Sequence, residues 1–213
     1  MEIRNYRDED LSSLYRICLA TGHAGEDASQ IYADPDIIGH IYAGQYGTLA
    51  PETALVAEDD EGVGGYILGC LNTYEFEKRL ERDWWPSLRL RYPDPSAKPP
   101  EHWSADERLR YAMHHPPRTP RRISEPFPSH LHIDLLPRLQ RRGLGRKLMD
   151  AWLARVRALG SKGVHLGVSM ANVRAIRFYQ RYGLQELERI EAPFNVTYFG
   201  VRFSPAFLNS PHK

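Results

Sequence analysis

Two cysteines in 213 residues, Cys18 and Cys70, rule out a disulfide framework, and neither sits at metal-ligand spacing. Their apolar neighbours read as buried free thiols, against a disulfide or a catalytic thiol. No stretch stays apolar for the roughly 20 residues that a bilayer crossing needs, and no charged-then-apolar leader follows Met1. Charge of one sign is lacking too. Lys and Arg number 28 against 27 Asp and Glu, a net +1, so bulk electrostatics favours neither a nucleic-acid nor a membrane partner. The expectation is a soluble, cytoplasmic protein. Its length suits one domain, residues 1–213, with room for a large insertion and a buried core.

What is present concentrates at residues 131–149. An apolar run, Leu131-His132-Ile133-Asp134-Leu135-Leu136, reads as a strand, Pro137 starts a turn, and Gln140-Arg141-Arg142-Gly143-Leu144-Gly145 opens a helix. A helix start leaves several main-chain N–H groups without intrahelical partners, and glycine removes the Cβ atoms that would hold a bulky anion away from them. The reading is a phosphate cradle, with Arg138, Arg141, Arg142, Arg146 and Lys147 around it. The helix, residues 144–159, carries Leu144, Leu148, Trp152, Leu153, Val156 and Leu159 on one face and ends at Gly160 and Gly163. A short apolar strand, residues 164–168, follows, then Asn172-Val173-Arg174-Ala175-Ile176-Arg177-Phe178-Tyr179-Gln180-Arg181-Tyr182-Gly183.

The pattern Gln-x-x-Gly-x-Gly resembles the acyl-coenzyme A loop of the GNAT family of N-acetyltransferases. The segment from Asn172 to Gly183 is similar to that family's Asn-x-x-Ala-x-x-Phe-Tyr-x-x-x-Gly motif, in the right order and at the right distance. The resemblance implies an α/β (α+β) fold, a mixed central sheet flanked by helices, and acetyl-CoA as cosubstrate. Narrower likenesses, in Asp36-Ile37-Ile38-Gly39, in Leu49-Ala50-Pro51-Glu52, in residues 56–69, in the Trp-Pro pair and in residues 176–183, resemble the C-terminal acetyltransferase-like domain of O-GlcNAcases and its free-standing bacterial relatives. This chain keeps the glycine loop that the animal domains lack. The likeness takes in no glycosidase portion, so sugar hydrolysis is not implied.

The N-terminal half fits the same fold. Residues 2–6 read as a strand, Asp8 to Asp10 as the acidic start of a helix, and residues 35–42 as a second helix with Pro35 near its start. Residues 53–58 and 64–72 form two strands around the turn Asp59-Asp60-Glu61-Gly62. Residues 73–129 exceed the minimal family layout. They hold helices near residues 75–83 and 104–114, the Trp84-Trp85-Pro86 cluster, and two proline-rich runs that disfavour long regular elements. This insertion reads either as a flap lining a substrate pocket or as a packing or dimerisation surface. Residues 185–189 and 196–203 read as the last two strands, joined at Ala192-Pro193-Phe194-Asn195, and residues 204–213 as a loose tail.

Acetyl transfer to an amine requires a held thioester, a polarised carbonyl, a deprotonated amine and a proton for the departing sulfur. Gln140, Arg141, Arg142, Gly143, Leu144, Gly145 and Arg146 are the expected diphosphate cradle. The resemblance implies that the N–H of Ile133 faces the acetyl oxygen, that Leu135 lies beside the pantetheine arm, and that Asn172 caps the helix and contacts the coenzyme. Tyr179 takes the motif position of a tyrosine near the sulfur, where a phenol titrating near 10 in model compounds is the expected acid. Asp134 and His132, alternating with His130 on one strand face, are base candidates, with His165, beside Gly167, a further one; the other reading is a satisfied buried pair. Gly167 stands where some relatives carry a glutamate. His114 and His115 read as ordinary surface, with no metal site. Nothing in the sequence identifies the amine, a small molecule or a protein lysine, or decides between monomer and homodimer. A second reading of the same features is a non-catalytic acyl-CoA-binding or protein-recognition module.

Overall fold

The computed structural model describes residues 1–191 and 195–203. The expected turn at residues 192–194 and the tail from residue 204 lie outside the described residues. In chain order the elements are β1 (Glu2–Asn5), α1 (Leu11–Thr21), α2 (Ile37–Tyr42), α3 (Gly44–Leu49), β2 (Leu55–Asp59), β3 (Gly62–Cys70), α4 (Thr73–Arg79), α5 (Trp85–Arg91), α6 (Ala105–His114), α7 (Arg121–Ser124), β4 (Ser129–Leu135), α8 (Leu144–Ala158), β5 (Gly163–Ser169), α9 (Val173–Tyr182), β6 (Gln185–Ile190) and β7 (Val196–Arg202). The strands form one sheet in the order β1-β2-β3-β4-β5-β7-β6. Every neighbouring pair is antiparallel except β4 and β5.

That parallel pair is short, and its shortness positions the site. Ser129 pairs with Val164 and His130 with His165. Beyond them the rest of β4 is paired to β3 alone and the rest of β5 to β7 alone. The sheet therefore opens between the two strands from Leu131 onward.

Strand alternation divides the side chains between two layers. Val56, Tyr66, Leu68 and Cys70 face α1, α2, α4, α5 and α6. Leu55, Ala57, Ile67, Leu131, Val164 and Leu166 face α8 and α9. Leu144, Leu148, Trp152, Leu153 and Val156 are buried from α8, as the 3.6-residue spacing predicts, whereas Leu159, expected on the same face, lies past the helix end and is half exposed. Trp152 also donates its indole N–H to the Thr53 carbonyl at 2.6 Å, which ties α8 to the chain entering β2.

Two segments depart from the sequence reading. Residues 43–52, unassigned from sequence, contain α3. Its glycines disfavour helix locally, but a Cβ at Gly44 would lie 2.4 Å from the Tyr15 hydroxyl and one at Gly47 would lie 2.9 Å from the Tyr6 ring. Close packing outweighs propensity there. The prolines after β3 do not prevent a long element either. The chain is helical from Thr73 to Arg91, passing through a π-helical turn at Leu80–Trp84 just before Pro86. A widened turn accommodates the ring and missing donor of a proline that a regular helix would reject. α6 starts where expected, with Ser104 and Glu107 forming a reciprocal capping box.

Candidate active site

The turn between β4 and α8 carries an uninterrupted row of free donors. Gln140 donates its N–H to the Pro137 carbonyl, and Lys147 donates to Gly143. None of the main-chain N–H groups of residues 141 to 146 has an acceptor among the described residues. Arg141 (φ 61°) and Gly143 (φ 74°) both adopt the left-handed conformation, which turns consecutive amides to one side. A Cβ added at Gly145 would meet the Phe178 ring at 3.4 Å and Leu135 at 3.6 Å, both walls of the cleft that the turn overlooks. A larger side chain at 145 would occupy the cleft.

That cleft is about 400 Å³ and is bordered by Ile133, Asp134, Leu135, Gln140, Asn172 and Tyr179, together with Arg141, Gly143, Leu144, Gly145 and Arg146. Of the expected coenzyme residues only Arg142 does not line it. Arg138 and Lys147 also lie outside it. Arg138 is held by Asp59 at 3.1 Å and by the Gly62 carbonyl at 3.0 Å, so its charge is spent on the β2–β3 turn. Sequence reasoning missed Arg174 and Arg181, which supply positive charge from α9, and Gly25, which closes the far side. Arg174 donates to Gln140 Oε1 and to the Gly25 carbonyl, each at 2.9 Å. A signal existed for α9, where residues 174, 175, 178, 179 and 181 share one helical face. Gly25 gave none.

Gln140 braces the turn through its side chain, donating from Nε2 to the Leu135 carbonyl at 2.7 Å. This bond also reports the direction of β4. Leu136 donates its N–H to Gly64 on the β3 side at 2.8 Å. Because main-chain groups alternate edges along a strand, the N–H groups of Ile133 and Leu135 face the opening between β4 and β5. Asn172 caps α9, accepting from the Ala175 N–H at 3.0 Å.

On the other face of β4 stand His130, His132 and Asp134, as alternation predicts, but in different states. The Thr73 hydroxyl donates to the Pro128 carbonyl at 2.9 Å and so accepts from His130 Nδ1 at 2.8 Å. Nε2 of the same ring then accepts from the Tyr46 hydroxyl at 2.8 Å. Burial, with repulsion from His165 and His132 adding to it, pushes this imidazole down to about 3. His130 is a satisfied structural histidine. His165 donates from Nδ1 to the Phe127 carbonyl at 2.6 Å and is pushed down to about 4, chiefly by burial. His132 and Asp134 differ. Asp134 Oδ2 accepts from the Tyr66 hydroxyl at 2.7 Å. His132 Nε2 lies 3.0 Å from the same oxygen but out of line for a hydrogen bond, and has no other partner among the described residues. The two residues border different spaces. Asp134 borders the coenzyme-sized cleft, and His132 borders a second cavity of about 500 Å³ beneath residues 116–120.

Tyr179 borders the first cleft with its ring packed near Phe178 and Phe199. Its hydroxyl has no protein partner among the described residues. Burial, with the Asp134 charge adding to it, pushes the phenol up from its ordinary value. The sequence reading placed it near 10; in this setting the phenol holds its proton more tightly than a free one. Neither thiol borders the cleft. Cys18 and Cys70 are buried and free, and burial pushes both up, Cys70 to about 12. Among the described residues no three His, Cys, Asp or Glu groups converge on a metal position, and no helix is long and apolar enough to cross a membrane.

Residues 25–184 match the acetyltransferase (GNAT) family, and the chain belongs to it. It is 26% identical over 200 residues to protein O-GlcNAcase of Rattus norvegicus and, to the same extent, of Mus musculus. The match takes in 93% of this chain and only 22% of those relatives, so the chain spans about a fifth of their length. The crystal structure of SsHAT superposes with a TM-score of 0.85 at 38% identity, covering 94% of this chain and 97% of that one. The structure of yncA, a putative acetyltransferase from Salmonella typhimurium with its cofactor acetyl-CoA, shares the fold, with a TM-score of 0.53 at 16% identity over 96% of this chain and 94% of that one. Both the family resemblance and the narrower likeness to O-GlcNAcases are thereby borne out.

Proposed function

We propose that this chain is an acetyl-CoA-dependent N-acetyltransferase that moves an acetyl group to a primary amine by direct attack, with both substrates bound at once. The observation that carries the reading is the opening in the sheet. A donor-rich cleft and a second cavity border consecutive stretches of β4, with the Ile133 N–H facing the opening between β4 and β5. Acetyl-CoA supplies an activated thioester. Its diphosphate fits the free N–H groups of residues 141 to 146, where a neutral ligand would leave the donors and arginines unmatched.

The remaining chemistry falls to side chains and backbone. The N–H of Ile133 stabilises negative charge developing on the acetyl oxygen, a contribution of about 3 kcal/mol for one such donor. The N–H of Leu135 engages the pantetheine arm. The amine nitrogen forms the new C–N bond while the C–S bond breaks and its electron pair stays on sulfur. The proton lost by nitrogen passes to the Asp134 carboxylate, directly or through His132, whose Nε2 is otherwise unused. Tyr179 donates a hydrogen bond to the sulfur as charge gathers there, and the thiolate takes its proton from solvent afterwards. Residues 73–129 act as the flap over the acceptor side.

Calorimetric titration with acetyl-CoA, followed by thiol release over a panel of primary amines, tests the reading. Micromolar binding with amine-dependent thiol release is expected. One observation favours a second reading: the chain corresponds to a small part of a much longer O-GlcNAcase, where such a fold accompanies another activity. Tight acetyl-CoA binding with no turnover for any amine would favour a non-catalytic recognition module.

A further inference from the structure

We infer that the acceptor is a monoamine carried on an aromatic or aliphatic body, seated in the cavity beneath residues 116–120, and not a polyamine or a lysine-rich peptide. The inference rests on the N-acetyltransferase reading above and deepens it by assigning the acceptor's chemical class. The cavity is about 500 Å³, large enough for a bicyclic ring with a short amine arm. Its walls are Tyr42, Phe76, Leu80, Trp85, Ile190 and Tyr198.

Charge in that space is scarce and already matched. Among the described residues that line it, Glu77 and Arg118 are the two charged ones. Glu77 accepts the Thr119 N–H at 3.0 Å and lies 3.5 Å from the Arg118 guanidinium, which also reaches Glu81 at 3.3 Å. The other titratable groups facing the cavity do not help a cation. His130 and His165 are neutral, with their Nδ1 protons donated to Thr73 and Phe127. A second or third ammonium would enter without a carboxylate partner, a penalty of roughly 10²-fold or more each in apparent specificity. A single ammonium is different. It can rest against the aromatic faces and then lose its proton at His132 and Asp134, where the cavity meets the opening in the sheet. Gly167 stands beside that junction with no side chain to block it, and a Cβ there would already lie 3.1 Å from Val196.

The test is thiol release at saturating acetyl-CoA with tryptamine and 2-phenylethylamine against spermidine and a lysine-rich peptide, alongside calorimetry with acetyl-CoA alone. The expected result is kcat/KM for the arylalkylamines at least ~100-fold above the polycations. Ala112→Phe, a half-buried position on α6 that lines the cavity, should raise KM for tryptamine about tenfold and leave acetyl-CoA affinity unchanged. Thr119→Phe on the overlying strap should do the same and does not depend on α6 packing. Preference for spermidine or the peptide with acetyl-CoA binding intact would overturn the acceptor assignment alone. Tryptamine turnover indifferent to both variants would overturn it as well. Absence of acetyl-CoA binding would remove the enzymatic reading beneath it.

Discussion

Replacing Tyr179 by phenylalanine isolates one interaction. The ring is 7% exposed and packs beside Phe178 and Phe199, so Phe keeps the packing. The hydroxyl has no protein partner among the described residues to lose, so stability should change by no more than about 0.5 kcal/mol. What disappears is a hydrogen bond to sulfur that matters only while charge accumulates there. A hydrogen bond to a charged group contributes about 1.5–3 kcal/mol, and with one decade per ~1.4 kcal/mol this predicts a loss of roughly 10- to 150-fold in kcat. Since the bond strengthens only on the way to the transition state, KM for the amine and the dissociation constant of acetyl-CoA should stay within about twofold. The pH profile adds a second readout. Burial and the Asp134 charge hold the phenol protonated, so the wild-type rate should not fall as pH rises from 8 to about 10. Thiol release measured at saturating acetyl-CoA, with calorimetry on the same preparations, reads all of these. Wild-type kcat in the variant, or equal losses in kcat and coenzyme affinity, would refute a role at the sulfur.

Two further substitutions separate strain from obstruction in the cradle. At Gly143 a Cβ meets nothing within 4 Å but φ is 74°, so Gly143→Ala should cost about 1 kcal/mol of stability and weaken acetyl-CoA binding only severalfold. At Gly145 the conformation is ordinary, yet a side chain points between Phe178 and Leu135, so Gly145→Val should abolish the calorimetric signal in a protein that melts normally; equal affinity in the two variants would contradict the cradle geometry. Acid sensitivity follows from His130 and His165. Their folded pKa values, about 3 and about 4, lie below the unfolded value, so the stability they contribute is complete above pH ~6.5 and is lost as pH falls toward 4. At pH 5 the two together should cost about 4 kcal/mol, read as a drop in the urea midpoint between pH 7.5 and 5. An unchanged midpoint would mean that neither imidazole is held neutral, and half the drop that only one is.

Much of the site was legible because its signals are local. The glycine turn, the α8 stripe, the Asn172 cap and the alternation of His130, His132 and Asp134 with Leu131 and Ile133 all follow from neighbours in the chain, through helix-end donors, 3.6-residue spacing and strand pleat. α3 was not legible, because its glycines argue against a helix until Tyr6 and Tyr15 are known to press on them. Nor was the charge balance of the cradle, where Arg138 pairs with Asp59, 79 positions away.

By itself the order of residues determined the seven strands, α8 and α9, the family to which they belong, and the glycine turn after Pro137 where backbone amides go unpaired. Tertiary structure alone decided which of three histidines near β4 keeps an unused nitrogen, that the Tyr179 phenol holds its proton, and that Arg174 and Gly25 close the cleft. The reason is that a pKa and a hydrogen-bond partner are set by what lies within a few ångströms in space. That neighbourhood is assembled from β3, β5, α9 and the helices after β3, which chain spacing does not encode.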